Sequence, residues 1–402
     1  MSTQTTRSFV SDKANKIEPS ITMATSSLAS QLRKEGKDVI GLSAGEPDFD
    51  TPEAIKEAGI QAIKDGKTKY TPAAGIIELK EAVVRKLSRQ GLSYAADDVV
   101  ISCGAKHSIY NILLAVINPG DEVIVPGPYW VSYPHQVRMA DGIPKIIETT
   151  DQTQFKISAA QLEASLTEKT KVLILNSPSN PTGMVYTREE LEAIAEVVVK
   201  HQILVISDEI YENLIYEGEH LSIASISDEV KNLTVIVNGV SKAYSMTGWR
   251  IGYCAGPIAI AKAIGKIQSH STSNPAAPSQ WASVEALDGP QDEVERMRLA
   301  FDERRDLMVS GLNKIPGVTC LSPQGAFYAF PNISALFGKS SGQTLISSSS
   351  DFCQQLLNEA LVACVPGSGF GADNYMRLSY ATSPEQIRIA LSRIEEWVAT
   401  LS

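Results

Sequence analysis

The sequence predicts an α/β fold in which helices cover both faces of a mostly parallel central sheet. Short runs rich in β-branched residues alternate with helical patterns through the middle of the chain. The runs are 97–102, 121–126, 171–176, 203–207, 233–238 and 251–255. Such alternation is typical of parallel strands joined by crossover helices. The length of 402 residues suits one large domain of this kind together with a smaller one.

The segments between these runs carry helix signals. Thr187 and Glu190 form a capping box, in which each side chain bonds the backbone N–H of the other residue. The following residues, 191–201, place apolar side chains at helical spacing. The sequence therefore predicts crossover helices between the strands.

The chain beyond about residue 290 changes character and predicts a smaller α+β domain. A long charged helical pattern begins there, and a serine-rich stretch at 339–350 reads as a flexible surface loop. A last helical pattern closes the chain. We expect the small domain to be built from both termini. The predicted divisions are an N-terminal segment that joins the small domain, a large domain and a small C-terminal domain, over residues 1–45, 46–290 and 291–402.

Composition and charge disfavour several classes of function. The formal net charge of −10 repels polyanions, so we expect no binding to nucleic acid or to an anionic membrane. The N-terminus has no apolar signal-peptide region, and no apolar stretch reaches the roughly 18 residues of a transmembrane helix. The five cysteines contain no CxxC pair, which disfavours a disulfide framework and a zinc site. We expect a cytoplasmic protein without a metal.

The sharpest chemical signal is the segment 241–250, which stands between two apolar strands. Lys242 can be partly desolvated there, and this lowers its pKa toward the neutral amine that a Schiff base requires. Ser241 and Arg250 flank it as hydroxyl and guanidinium donors for a phosphate. An isolated Ser-Lys pair, however, more often belongs to a surface turn, so the neighbouring segments decide.

Polar residues follow two predicted strands, at the edge where open α/β sheets bind ligands. Asn180 comes after one strand, and Asp208 and Tyr211 come after the next. A pyridoxal phosphate (PLP) ring needs a buried carboxylate to keep its nitrogen protonated, and Asp208 is placed to supply it. Asn180 and Tyr211 are suitable partners for the phenolic oxygen of the ring. Alone, such residues more often cap helices or shape turns.

Three further positions complete the candidate site. Gly104 and Ala105 lie where a strand turns into a helix, so their N–H groups could hold a phosphate. Trp130 offers a flat face for stacking on a planar cofactor, and core packing is the equally plausible alternative. Arg377 could bind a substrate carboxylate bidentately, and its alternative is an exposed ion pair.

Together these residues resemble the fold-type I PLP-dependent aminotransferases over about residues 17–400. The matching motifs are AGEPDF at 44–49, YTPAAG at 70–75, NSPSNPTG at 176–183, DEIY at 208–211, SKAYSMTGWR at 241–250, GAFY at 325–328 and MRLSY at 376–380. The resemblance implies that Lys242 is the Schiff-base lysine and proton shuttle and that Asp208 pairs with the ring nitrogen. It also implies that Asn180 and Tyr211 bind the phenolic oxygen.

The resemblance implies two further sets of contacts. The phosphate would be held by Ser241, Arg250 and the Gly104-Ala105 turn, while Tyr70 would reach the phosphate bound in the neighbouring subunit of a homodimer. The substrate α-carboxylate would be held by Gly45, Asn180 and Arg377.

Within the family, GAKH at 104–107 and PYWVSY at 128–133 are similar to aspartate aminotransferases of the prokaryotic type. This similarity implies that Lys106, beside Trp130 at the cofactor and substrate sites, reaches the side-chain carboxylate of the substrate. It favours aspartate and 2-oxoglutarate as substrates. Prephenate, aromatic and kynurenine aminotransferases and a β-lyase remain alternatives, and the acidic Glu18 weakens the prephenate extension. A non-catalytic PLP-sensing regulator would need a DNA-binding domain, and the sequence shows no such pattern.

Overall fold

The computed structural model describes residues 9–402, and the first eight residues of the predicted N-terminal segment lie outside the described residues. The strands are β1 Ile40–Gly41, β2 Val99–Ser102, β3 Glu122–Pro126, β4 Ile143–Ile147, β5 Thr170–Asn176, β6 Leu204–Asp208, β7 Thr234–Gly239, β8 Gly252–Ala255, β9 Tyr328–Ala329, β10 Ser340–Ser341, β11 Thr344–Leu345, β12 Val362–Ala363, β13 Val365–Pro366 and β14 Met376–Ser379.

The helices alternate with the central strands and then dominate the C-terminal part. They are α1 Asp12–Asn15, α2 Ile21–Lys34, α3 Glu53–Lys64, α4 Ile77–Arg89, α5 Ala105–Val116, α6 Ser132–Met139, α7 Ala159–Ala164, α8 Arg188–His201, α9 Asp228–Lys231, α10 Ile258–Ser271, α11 Ala277–Asp288, α12 Asp292–Leu312, α13 Ser349–Ala360 and α14 Pro384–Ala399. The predicted capping box is present at the start of α8, where the Thr187 hydroxyl accepts from Glu190 N.

The central sheet has seven strands in the order β2-β8-β7-β6-β5-β3-β4. Strand β8 runs antiparallel to both of its neighbours, and the other pairs are parallel. The predicted α/β class and mostly parallel sheet are therefore confirmed. Strand β4 was not predicted, because it is an edge strand whose Pro144 and Lys145 interrupt the apolar run and whose Ile143 is half exposed.

A second apolar core joins the C-terminal part to the end of the N-terminal segment. Ile40 and Leu42 pack in one buried cluster with α12, α13 and α14 and with strands β9 and β14. The small sheet here has the order β13-β14-β9, with antiparallel pairs. The division at residues 45 and 290 stays a prediction.

The serine-rich stretch at 339–350 differs from the expectation of an irregular loop. Strands β10 and β11 form a short antiparallel hairpin there, and α13 begins at Ser349. Backbone bonds between Ser340 and Ser402 and a 2.6 Å bond from the Ser341 hydroxyl to Glu359 anchor the hairpin. Hydrogen bonds therefore order a segment that has little apolar surface to bury.

Among residues 9–402, no helix combines the length and the apolar character that a membrane span requires.

Candidate active site

A cavity of about 540 Å³ opens at the carboxyl ends of the central strands. Most of the predicted site residues line it, namely Gly45, Ala105, Lys106, Trp130, Asn180, Asp208, Tyr211, Ser241, Lys242, Arg250 and Arg377. Gly104 adjoins the cavity, since a Cβ at this position would lie 2.3 Å from Arg250 Nη2. Residues that are distant in the sequence therefore meet where open α/β sheets bind ligands.

The strand register brings the first polar groups together. Asn176 at the end of β5 pairs with Asp208 at the end of β6, and Asn176 Nδ2 donates to Asp208 O over 2.9 Å. The Asn176 side chain also accepts from Asn180 N at 2.8 Å. This bond fixes the turn that carries the Asn180 amide into the cavity.

Asp208 is a buried carboxyl group with two hydrogen-bond donors. Tyr133 Oη donates to Asp208 Oδ2 over 2.6 Å, and Ile210 N donates to Asp208 Oδ1 over 3.3 Å. Burial raises the pKa of Asp208 to about 6, although the Tyr133 and Ile210 bonds act in the opposite direction. A cation bound beside Asp208 would therefore stabilise the ionised form of its carboxyl group.

Lys242 follows β7, and its amine points into the cavity. Lys242 Nζ donates to Gly45 O over 2.5 Å. Desolvation lowers the pKa of Lys242 to about 8, and the charges of Arg377 and Arg250 add to this effect while Glu46 opposes it. A lysine with such a pKa supplies neutral amine near neutral pH, as covalent chemistry with a carbonyl compound requires.

Arg377 on β14 is a buried cation that forms no ion pair with any carboxylate of residues 9–402. Its guanidinium donates to Asn180 Oδ1 over 3.0 Å and to Ser43 O over 2.8 Å. The centres of the Tyr328 and Phe370 rings lie 4.5 and 4.9 Å from Arg377 Cζ. Nε of Arg377 has no hydrogen-bond partner within the described residues, and burial lowers the pKa of the group. A buried, unpaired guanidinium indicates an anionic ligand.

The start of α5 forms a site for a second anion. Gly104 adopts a φ of +86°, and Ala105 begins the helix, whose first N–H groups have no partner inside it. Arg250 lies beside this turn, and Arg250 Nη2 donates to Cys103 O over 3.3 Å. Gly252 permits the close approach, since a Cβ there would lie 2.2 Å from Ala105 N. A helix N-terminus with a guanidinium and the Ser241 hydroxyl can hold a phosphate group.

Lys106 lies at the exposed side of the cavity. Lys106 Nζ is 4.8 Å from the centre of the Trp130 ring, which in turn meets Tyr133 edge to face at 5.3 Å. No carboxylate forms an ion pair with Lys106 in the described part of the chain. The cavity therefore offers a second cation, besides Arg377, to an acidic ligand.

Tyr211 pairs with a residue to which sequence reasoning gave no role. The hydroxyls of Tyr211 and Tyr328 lie 2.8 Å apart, and burial raises the pKa of both phenols. Tyr133 was also missed. Both tyrosines stood inside motifs that the sequence analysis singled out, but only the fold shows what their hydroxyls contact.

Helix α2 contributes a wall that no sequence signal indicated. Thr22, Met23 and Ser26 line the cavity, and the Thr22 hydroxyl is buried without a partner among the described groups. These contacts depend on tertiary packing, because α2 lies far from the central strands in the chain.

Tyr70 is the one predicted site residue that lies apart from the cavity. It is 91% exposed and borders a separate surface groove with Thr71 and Trp281. Within one chain, Tyr70 therefore contributes nothing to the cavity.

A buried ionic cluster lies behind the end of β6 and consists of Glu209, Glu212, His220 and Lys86. Glu209 accepts hydrogen bonds from the Ser207 and Ser222 hydroxyls at 2.8 and 2.6 Å, and it lies 3.1 Å from His220 Nε2. Glu212 forms a short ion pair with Lys86.

The three acidic and imidazole groups of this cluster lie close enough to share a cation, with ligand atoms within 4.8 Å of one another. Lys86 already supplies positive charge to Glu212. Burial opposes charge on Glu209 and His220, but their mutual contact outweighs it, lowering the pKa of Glu209 and raising that of His220.

Comparison with known proteins agrees with this geometry. Residues 37–394 match the family model described as aminotransferase class I and II. An aspartate aminotransferase from Bacillus sp. (strain YM-2) is 49% identical over 98% of this chain and 100% of its own length. An aspartate/prephenate aminotransferase from Cereibacter sphaeroides is also 49% identical, over 98% of this chain and 100% of its own.

The solved structures give the same result. The aspartate aminotransferase from Thermus thermophilus with maleate superposes with a TM-score of 0.92 at 43% identity, covering 97% of this chain and 100% of the other. Both the sequence and the fold match over nearly the full length, so the fold-type I architecture predicted from the motifs is confirmed. This chain belongs to the class I and II aminotransferases.

Proposed function

We propose that the protein is a PLP-dependent enzyme that transfers the amino group of L-aspartate to 2-oxoglutarate, giving oxaloacetate and L-glutamate. The proposal is carried by two cations, Arg377 and Lys106, that share one cavity with the perturbed amine of Lys242. Neither cation has a carboxylate partner among the residues that the structure describes. Aspartate and 2-oxoglutarate each carry two carboxylates. Both substrates therefore match the charge of the cavity.

The donor set fits PLP. The start of α5, with Ser241 and Arg250, suits the phosphate, and Asp208 suits the ring nitrogen. Asn180 and Tyr211 suit the phenolic oxygen. When bound, PLP supplies an electron sink that allows the bond between Cα and its hydrogen to break. The protein's contribution is to hold, orient and protonate the reacting groups.

Lys242 is the residue that moves the proton. A neutral Nζ accepts the proton from the substrate Cα and then donates it to C4′ of the cofactor. Its lowered pKa of about 8 provides neutral amine without removing its capacity to act as an acid. Asp208 carries the opposite charge that keeps the ring nitrogen protonated.

Arg377 orients the α-carboxylate. The guanidinium is held by Asn180 and Ser43 and enclosed by two aromatic rings, so it is fixed before the substrate binds. Gly45 leaves room beside it, since a Cβ there would lie 2.9 Å from the Tyr328 hydroxyl. Lys106 and Trp130 border the space for the side chain.

The reaction is a ping-pong exchange in which oxaloacetate leaves before 2-oxoglutarate enters the same cavity. Aspartate and 2-oxoglutarate present the same two charges, so one pair of cations serves both half-reactions. Prephenate is the second candidate substrate, because several relatives are named aspartate/prephenate aminotransferase, and it too carries two carboxylates.

We further propose that the active unit is a homodimer with shared sites. Tyr70 and the half-exposed Ile77 lie at the surface groove beside α11, where an aromatic and an aliphatic side chain are available to a second copy. Mixing Tyr70→Ala subunits with Lys242→Ala subunits tests sharing: hybrid dimers regain activity if the two residues serve different sites from one chain. No recovery in verified hybrids contradicts the proposal.

The assignment to dicarboxylates is tested by Lys106→Ala. We expect a roughly tenfold to hundredfold loss of kcat/KM for aspartate, because a charge-assisted hydrogen bond to its side chain disappears. The kcat/KM for alanine, which lacks that carboxylate, should change little. Lys145→Ala, which removes a surface lysine paired with Glu122, is the control. Equal losses for aspartate and alanine would contradict the assignment.

A further inference from the structure

The side chain of Asp208 is held by Tyr133 as well as by its own turn. One carboxyl oxygen accepts from Tyr133 Oη at 2.6 Å, and the other accepts from Ile210 N at 3.3 Å. The tyrosine bond is the shorter of the two and comes from α6, outside the strand that carries Asp208. The orientation of the carboxylate thus depends on a second element of the fold.

Tyr133 is itself firmly placed. Its side chain is 2% exposed and packs in the apolar cluster formed by α5, β3 and β5. The Trp130 ring meets it edge to face at 5.3 Å. A buried aromatic ring with neighbours on several sides has few alternative rotamers, so its hydroxyl is a fixed point.

The surroundings of Tyr133 decide which group donates the hydrogen bond. Burial, and then the charge of Asp208, raise the pKa of the Tyr133 phenol well above its ordinary value. The phenol therefore stays protonated and donates the hydrogen bond to Asp208. A hydrogen bond of this kind is stronger to an ionised carboxylate than to a neutral carboxyl group. The bond from Tyr133 therefore favours the ionised form of Asp208, which attracts a cation.

We propose that Tyr133 is a positioning residue for the ring nitrogen of the cofactor: its hydroxyl keeps the Asp208 carboxylate ionised and in one orientation. The inference rests on the proposed function, since it takes Asp208 as the partner of that nitrogen. Tyr133 acts through Asp208, so its removal weakens recognition of a protonated ring nitrogen more than recognition of the rest of the cofactor.

The test is the affinity of the apoprotein for two ligands, PLP and its analogue in which a CH group replaces the ring nitrogen. Wild-type protein should bind PLP more tightly than the analogue. Tyr133→Phe keeps the buried ring and should bind PLP roughly tenfold more weakly, with little change for the analogue. In an Asp208→Asn background, Tyr133→Phe should not alter the ratio of the two affinities further.

Tyr186→Phe is the matched control, because it removes a buried hydroxyl that accepts from Ile157 N at 3.1 Å and does not touch Asp208. It should leave the ratio unchanged. If wild-type protein binds both ligands equally, the role of Asp208 in the proposed function is wrong, and the inference about Tyr133 goes with it. If the wild type discriminates and Tyr133→Phe either keeps the full ratio or loses both affinities equally, the inference about Tyr133 alone is overturned.

Discussion

Asp208 and Glu209 are neighbours at the end of β6, and the protein treats their carboxyl groups in opposite ways. Asp208 faces the cavity, where burial raises its pKa to about 6. Glu209 faces the buried ionic cluster, where burial has the same tendency but His220, Ser222 and Ser207 outweigh it and lower the pKa. Equal burial therefore gives opposite results, and the partners decide which.

The same contrast holds for the cations of the two regions. In the cavity, burial lowers the pKa of Lys242 and Arg377, and neither forms an ion pair with a carboxylate of residues 9–402. In the cluster, contact with Glu209 raises the pKa of His220 despite burial. The cluster is neutralised from within, whereas the cavity retains charges that a ligand can neutralise. Charge that lacks an opposite partner among residues 9–402 therefore distinguishes the cavity from the cluster.

The largest effect that the contrast predicts is the loss of activity in Asp208→Ala. We expect steady-state transamination to fall by roughly two to three orders of magnitude, because the ring nitrogen of the proposed cofactor would lose its anionic partner. The circular dichroism spectrum should remain that of the wild type. Sustained turnover by this variant would contradict the role proposed for Asp208.

The neighbouring substitution, Glu209→Ala, should act on stability instead. It leaves His220 buried beside the remaining cluster without its main partner, so the free energy of unfolding should drop by about 3–5 kcal/mol. Urea unfolding of the apoprotein measures it. Glu189→Ala, at an exposed carboxylate in the first turn of α8, is the control and should change little. A Glu209→Ala protein as stable as this control would show that the contact between Glu209 and His220 does not stabilise the fold.

A smaller effect of opposite sign is expected for Asp208→Asn in the apoprotein. The folded-state pKa of about 6 exceeds the ordinary 3.8, so the folded protein binds the proton more tightly, and stability falls as pH rises between these values. Asparagine carries no charge to bury. Above pH 6 the variant should be more stable than wild type by about 1–3 kcal/mol. A variant less stable than wild type at mildly alkaline pH would show that the buried charge costs nothing.

The smallest effect is the pH dependence that His220 adds. Its pKa is raised in the folded state, where contact with Glu209 outweighs burial. Its contribution to stability is therefore fully present below its ordinary pKa of 6.5 and is lost as pH rises through the folded-state value. The difference in unfolding free energy between wild type and His220→Gln should shrink with rising pH. A constant difference would mean that the pKa of His220 is the same in the folded and unfolded protein, and a difference that grows with pH would mean that its pKa is lowered by folding.

The central sheet and the site edge could be predicted because their signals are local. Asn180, Asp208 and Lys242 each stand just after a buried apolar run, and parallel strands bring their carboxyl ends to one edge. Strand β4 was missed since an edge strand lacks a continuous apolar run. The roles of the site residues remain proposals.

The buried ionic cluster and the bond from Tyr133 to Asp208 could not be predicted. Lys86 comes from α4 and His220 from a loop beyond β6, so only the folded backbone brings their charges to Glu212 and Glu209. Tyr133 lies in a motif that was recognised, but the motif does not say where its hydroxyl points. Tyr70 differs from both, because the resemblance gives it a role but the proposed contact is with a second chain.

The proposed function requires that Lys242 hold PLP, and reduction of the Schiff base traps this bond. The apoprotein is incubated with PLP, reduced with borohydride and digested, and the modified peptide is identified by mass spectrometry. We expect a phosphopyridoxyl group on Lys242, and less of it when aspartate is added before reduction, because the amino acid displaces the lysine from the cofactor. A label on other lysines alone, or no label, would mean that Lys242 does not hold the cofactor.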